Sequence, residues 1–254
     1  MRWIIRGFTL IELSIVLVII GLIVAAVVGG QTLVKQARLR AIFGEYEEVA
    51  QAVNAFRLAY DGIPGDFDNA YAFWACGASA SECNGDGDFK VEEHATSEAE
   101  QEMFRFWEHM ASASVYPGSF TGEGTGTGAA ARDYAIIGVN IPGSTFKNVG
   151  INVLYQTAGS ETSGSSHNGN VVIFGKEVTG EHANADAFVA ADLQGLDQKV
   201  DDGKPLTGIM LSVGSTGTGA TDCVDTSTTP DQYNIDSTAG VEVCAVAFTL
   251  DKSK

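Results

Sequence analysis

Three hydrophobic rhythms divide the chain. From Phe8 to Val28 almost every position is apolar, and Glu12 is the one charge inside the run. The run is about 20 residues long, enough to cross a bilayer as a helix. Next, Leu39, Ile42, Phe43, Tyr46, Val49, Ala50, Val53, Phe56 and Tyr60 recur at steps of three and four, the stripe of an amphipathic helix. No proline precedes Pro64, so both stretches fit one helix from Phe8 to about Tyr60, roughly 80 Å long. Gly21, Gly29 and Gly30 weaken its apolar half, each by about 1 kcal/mol relative to alanine.

The turn cluster Asp61-Gly62-Ile63-Pro64-Gly65-Asp66 ends this helix. Ser97-Glu98-Ala99-Glu100 has capping-box spacing, and Met103, Phe104, Trp107 and Met110 share a face after it, which predicts a short helix over about 98–113. Thr121 to Gly128 is a Gly/Thr loop with no Gly-Lys-Ser/Thr, so it is not a phosphate-binding loop. From about residue 134 the pattern turns to strands: 134–139, 149–156, 171–178, 208–213 and 241–250. A helix interrupts over about 185–200, with Phe188, Leu193, Leu196 and Val200 inward, closed by Gly203 and Pro205.

Charge sharpens the division. The chain has 254 residues with 15 basic and 32 acidic. Residues 1–40 hold five of the bases and one acid, Glu12, leaving 10 bases and 31 acids in the remainder. A body this acidic argues against nucleic acid or an anionic membrane surface as a bound partner, since like charges repel. A carboxylate inside a membrane span costs at least about 2.5 kcal/mol and calls for a partner.

Gly7-Phe8-Thr9-Leu10-Ile11-Glu12-Leu13 follows the short leader Met1-Arg2-Trp3-Ile4-Ile5-Arg6. This resembles the class III signal of type IV pilins and type II secretion pseudopilins: a glycine, then phenylalanine, an acid four residues after it, and an unbroken apolar stretch. The resemblance implies cleavage after Gly7 by the prepilin peptidase and N-methylation of the new terminus, Phe8. It implies retention of the apolar helix and polymerisation into a homopolymer on an inner-membrane assembly platform. Glu12 becomes an assembly residue that meets the Phe8 ammonium of a neighbouring subunit. The division that follows is a leader (1–7), a transmembrane and filament-core helix (8–30), and a periplasmic or extracellular globular domain (31–254). Within that domain lie an amphipathic helix half (31–60), an αβ-loop region (61–133) and a β-rich part (134–254). The expected fold is α+β and pilin-like: a long N-terminal helix packed on a C-terminal antiparallel sheet, with a disulfide-closed C-terminal loop. In this family the Gly21–Gly30 segment is a candidate to unwind on filament packing.

Cys76, Cys83, Cys223 and Cys244 all follow the membrane helix, and an even count in an exported chain suggests two disulfides. Three pairings are possible. The local ones, Cys76–Cys83 and Cys223–Cys244, are preferred, and the second would close a C-terminal loop of the kind pilins use. Zinc fits poorly, because no Cys-x-x-Cys occurs and the four histidines are scattered.

Asn84 to Glu93 clusters oxygen donors and imitates the start of an EF-hand loop, but Phe89 and Ala95 fall where glycine and glutamate belong. Calcium on Asp86 and Asp88, with Glu92 or Glu93 closing the shell, is one reading; a solvated acidic turn is the other. Asp197, Asp201 and Asp202 form a second acidic group. No nucleophile elbow or His-Glu-x-x-His motif appears, so the reading is structural, not enzymatic. The alternatives are a minor tip subunit and a membrane-tethered, calcium-dependent binding module.

Overall fold

The structure, a computed structural model, describes residues 9–92, 101–124, 134–158, 165–213, 222–236 and 238–250. Helix α1 runs Leu10–Tyr60, and the chain divides into two compact units, residues 1–40 and 41–254.

In the first unit, the apolar part of α1 exposes large side chains on all sides, from Leu10 at 88% to Val16 at 49%. An 18-residue window is apolar enough to cross a membrane, and none of it is buried. A helix apolar all round belongs in lipid or inside other protein. Gly21, Gly29 and Gly30 leave it continuous, and a Cβ at any of them would meet nothing within 4 Å.

In the second unit, α1 buries one face. Ile42, Val49, Val53 and Phe56 are inside, while Gly44, Glu47, Glu48, Gln51 and Leu58 are exposed. The unit's sheet contains β1 (Val149–Gln156), β2 (Gly169–Lys176), β3 (Phe188–Val189), β4 (Met210–Val213) and β7 (Glu242–Thr249). All pairings are antiparallel, in the order β1-β2-β7-β3, with β4 also on β7. One face of the sheet meets α1: Tyr46 stacks on Phe248 with ring centroids 4.8 Å apart, and its hydroxyl donates to the Thr249 carbonyl at 2.9 Å. Glu45 accepts from Ser144 Oγ and the Thr145 amide, fastening the helix to the segment before β1. The opposite face carries Leu154, Val171, Ile173, Leu211, Val213, Ala245 and Ala247. This is the pilin-like α+β architecture, a long N-terminal helix and a C-terminal antiparallel sheet.

Around the sheet lie α2 (Ala70–Trp74), α3 (Ala80–Cys83), α4 (Glu102–Ser112), α5 (Ala190–Val200) and a two-stranded ribbon of β5 (Val224–Asp225) and β6 (Gln232–Tyr233). The strand expected over 134–139 is absent. Asn140 takes its place as organiser: its Oδ1 accepts from the Ile136 amide, its Nδ2 donates to the Tyr134 carbonyl, and Gly138 turns at φ +79°. The result is a compact loop with one isolated bridge, Ile137 to Ile141. The helix expected over 185–200 starts later, at Ala190, because Phe188 and Val189 pair with β7. The capping box at 97–100 and the loop residues 125–128 lie outside the described residues.

Two disulfides tie the body, Cys76–Cys83 and Cys223–Cys244, each with Cα atoms 5.1 Å apart. The second spans 21 positions and closes the loop that carries β5 and β6 back to β7.

Candidate functional site

Three places carry the chemistry that the sequence singles out. The first is the start of α1. Gly7 and Phe8 lie outside the described residues, and Glu12 stands in the first helical turn. Its Oε2 accepts from the Thr9 amide and the Thr9 hydroxyl, both at 2.8 Å, while Thr9 Oγ1 accepts from the Glu12 amide at 3.2 Å. This is a reciprocal capping box, with the carboxylate at the positive end of the helix dipole. Sequence reasoning missed Thr9; the signal was its Thr-x-x-Glu spacing.

The second place is the loop before α4. Asp66 is buried, at 2% exposure, and gathers the loop around it. Its Oδ1 accepts from the amides of Gly87 (2.8 Å) and Asp88 (3.0 Å), and its Oδ2 from that of Phe89 (2.9 Å). The chain can wrap this tightly because position 85 is glycine, where a Cβ would come within 2.3 Å of Asp66 Cα. Phe89 is held at φ +68°.

Helix α4 grips the same loop with a polar stripe of Glu102, Arg105 and His109, all buried. Glu102 accepts from the amides of Asp86 and Glu92. Arg105 donates to the carbonyls of Asn84 (2.6 Å) and Ser81 (3.0 Å). His109 Nδ1 accepts from the Gly65 amide at 3.0 Å, which leaves the proton on Nε2, facing the Cys83 carbonyl at 2.8 Å. The stripe runs i, i+3, i+7, a helical spacing visible in the sequence beside the apolar face, but its partners are supplied by loop geometry.

Burial sets the electrostatics here. It pushes Asp66 up to about 6 against the pull of three amide bonds, and pushes Glu102 well above the carboxylate range, with the Glu92 side chain adding to the rise. Burial drives His109 down to about 4, so the ring is neutral.

Two overlapping sets of carboxylates could hold a hard cation: Asp86 with Asp88 and Glu92, and Asp86 with the buried Asp66 and Glu102. In each set one oxygen per residue lies within 4.8 Å of the others. Oxygen donors at such spacing suit calcium better than zinc. Glu93 lies outside the described residues. Asp88 already pairs with Lys90, and Asp86 Oδ1 accepts from the Asp88 amide at 3.1 Å. All four cysteines are in disulfides, so none is a thiolate ligand.

The third place is the end of α5. Asp197, Asp201 and Asp202 converge, yet each carboxylate has a structural task. Asp197 accepts from the Tyr233 hydroxyl at 2.8 Å and the Gly203 amide at 3.1 Å, tying the disulfide-closed loop to α5. Asp201 caps the amides of Ile209 and Met210 where β4 begins, and Asp202 accepts from Thr207 Oγ1 and the Lys204 amide. Burial raises Asp197 to about 6.

Comparison with known proteins agrees with the first place. Residues 5–28 match the family model of the prokaryotic N-terminal methylation motif. That motif is the class III signal of type IV pilins and pseudopilins, and it marks structural subunits rather than enzymes. The chain thus carries the processing signal found on pilin and pseudopilin precursors, with a pilin-like α+β fold behind it. No curated protein matches the chain, and no solved structure does.

Proposed function

We propose that this chain is the precursor of a filament subunit, of a type IV pilus or a type II secretion pseudopilus. The observation that carries the reading is the methylation motif over residues 5–28, continued by a helix whose apolar residues are exposed on every side. The prepilin peptidase cuts after Gly7 and methylates Phe8. The subunit waits in the bacterial inner membrane, then joins a homopolymer through its N-terminal helix on the assembly platform, and ends in a periplasmic or extracellular filament. Glu12 is the register device. Both of its capping bonds fall on Oε2, so Oε1 lies outside the box, and the Phe8 ammonium of a neighbour supplies a counter-charge in an apolar medium.

Mass spectrometry of the mature protein tests the reading. The expected chain starts at N-methyl-Phe8 and has 247 residues, seven fewer than the precursor's 254. A start near Gln31 would overturn it. Glu12→Ala is expected to be processed normally yet to leave cells without filaments; normal filaments would remove Glu12 from assembly.

A second reading, compatible with the first, concerns calcium on the loop before α4. It rests on the approach of Asp86 to Asp88 and Glu92 on one side and to Asp66 and Glu102 on the other. A divalent cation would turn carboxylate repulsion into coordination and stabilise the body by mass action. Chelator is expected to lower the melting temperature of the soluble body. Asp86→Ala with Asp88→Ala should abolish that response. A melting curve indifferent to chelator would leave a solvated acidic turn.

A further inference from the structure

We infer that Lys35, Arg38 and Arg40 form a girdle that binds the phosphates of anionic phospholipids at the level where α1 leaves the bilayer. The inference rests on the reading of this chain as membrane-spanning, and it assigns the lipid class that the span selects.

No acid occurs from Leu13 to Gly44, while three bases fall within six residues directly after the apolar run. All three are exposed. At about 1.5 Å per residue, Lys35 stands about 35 Å along the helix from Glu12. A hydrocarbon core is about 30 Å thick, and about 40–45 Å with its headgroups. With Glu12 at one interface, the three bases lie at the other, among phosphates rather than acyl chains or bulk water.

Their arrangement favours a lipid layer over a single protein face. At about 100° per residue, Arg38 lies about 60° from Lys35 around the helix, and Arg40 about 140° from it on the other side. The charges therefore spread over about 200° of the helix circumference within an axial rise of about 7.5 Å. A protein partner's acidic patch would meet one side of such an arc, whereas a plane of headgroups meets every exposed part of it, all but the sector of the buried Leu39. The long stems of lysine and arginine can lie along the apolar helix and place their charges at the phosphates. The attraction is local and selective, because the body beyond it carries a large negative excess that the same lipids repel.

The test uses the full-length chain in phosphatidylcholine vesicles with trace spin-labelled phosphatidylglycerol or spin-labelled phosphatidylcholine. Electron spin resonance reads the fraction of each label held at the protein. The wild-type chain is expected to hold phosphatidylglycerol several-fold more strongly, and added salt should weaken the preference. Lys35→Gln, Arg38→Gln and Arg40→Gln should each remove part of it, and the triple variant all of it. Equal retention of the two labels would overturn the girdle, as would a preference that survives in the triple variant. So would a preference that one substitution alone abolishes, because that describes a point contact. A triple variant that loses filaments but keeps its lipid preference would assign the charges to a neighbouring subunit instead. Protease protection on the same vesicles separates the two levels. A chain cleaved throughout fails the spanning reading itself, whereas a protected span without lipid preference fails this inference alone.

Discussion

The two stretches of α1 are built from similar residues and live in different solvents. Between Leu10 and Val34 leucine, isoleucine and valine are exposed in every direction, whereas Ile42, Val49, Val53 and Phe56 have almost no exposure. The difference is pattern rather than hydrophobicity. The first stretch lacks polar residues at the spacing that would define an outer face. In the second, Gly44, Glu47, Glu48 and Gln51 mark that face. A stripe is completed by the chain's own sheet, while an all-round apolar surface must be completed by lipid or by other copies.

A charge placed in each stretch should break them in different ways, and this is the largest expected effect. Val49→Asp buries an unpaired carboxylate against the body and should cost about 4 kcal/mol or more, enough to unfold a domain of ordinary stability. Val18→Asp should leave the body's melting temperature unchanged yet impair membrane insertion, at about 2.5–3.5 kcal/mol for the charge. Thermal melts and membrane fractionation of the two variants check this. A Val18→Asp variant with a destabilised body would show that the first stretch packs where the structure leaves it open.

What was legible in the sequence follows the same division. The first stretch needed only composition, the Gly-Phe junction and Glu12, because an all-round apolar surface shows in composition alone. The stripe of α1 and the strands β1, β2 and β7 were legible because each keeps its pattern over many residues. The segment 134–139 reads as a strand on composition, but Asn140 and Gly138 fold it into a loop, and a single side chain bonding two backbone groups leaves no periodic trace. Helices α2 and α3, of five and four residues, are too short for any period. The loop site was half legible. Asp86, Asp88 and Glu92 stand close in sequence, whereas Asp66 and Glu102 reach them only through the fold.

The C-terminal disulfide should give the next effect. Cys223→Ser with Cys244→Ser releases a loop of 21 positions, and the chain-entropy model assigns about 3 kcal/mol to closing a loop of that size. Denaturant unfolding of the body should show the loss, with spectroscopic helicity of α1 little changed. If the variant unfolds at the wild-type midpoint, Asp197 and Tyr233 alone suffice to hold that loop.

Histidine 109 separates the body from the membrane stretch by pH. Its pKa is depressed by burial to about 4, below the ordinary 6.5. Both folded and unfolded chains are neutral at this site above pH 6.5. As pH falls below that, the unfolded chain takes up the proton first, so the contribution to stability is lost between about 6.5 and 4. The full loss is on the order of 3 kcal/mol. Asp66 and Asp197 oppose it, since carboxyls raised to about 6 stabilise the folded state at low pH and lose that contribution as pH rises through 6. The clean observable is therefore the difference between wild type and His109→Gln: stability curves that converge as pH falls from 6.5 to 4. Parallel curves would mean that the folded body takes up this proton at the same pH as the unfolded chain.

The smallest effect concerns the box at the start of α1, and it sharpens what Glu12 is for. Thr9→Ala removes the hydroxyl from the reciprocal bonds with Glu12 but keeps the carboxylate and the Thr9-position amide that it accepts from. Loss of a cap of this kind costs about 0.5–2 kcal/mol of helix stability. Circular dichroism of the N-terminal segment in detergent should show fraying of its first turn, restored by Thr9→Ser. Filaments should still form, because the charge proposed to meet the neighbour's Phe8 ammonium is intact. Glu12→Gln makes the opposite cut, keeping an oxygen for the cap and removing the charge, and it should block assembly with the helix start preserved. If Thr9→Ala blocks filaments as completely as Glu12→Gln does, then the ordered first turn, rather than the ion pair, sets the register of assembly.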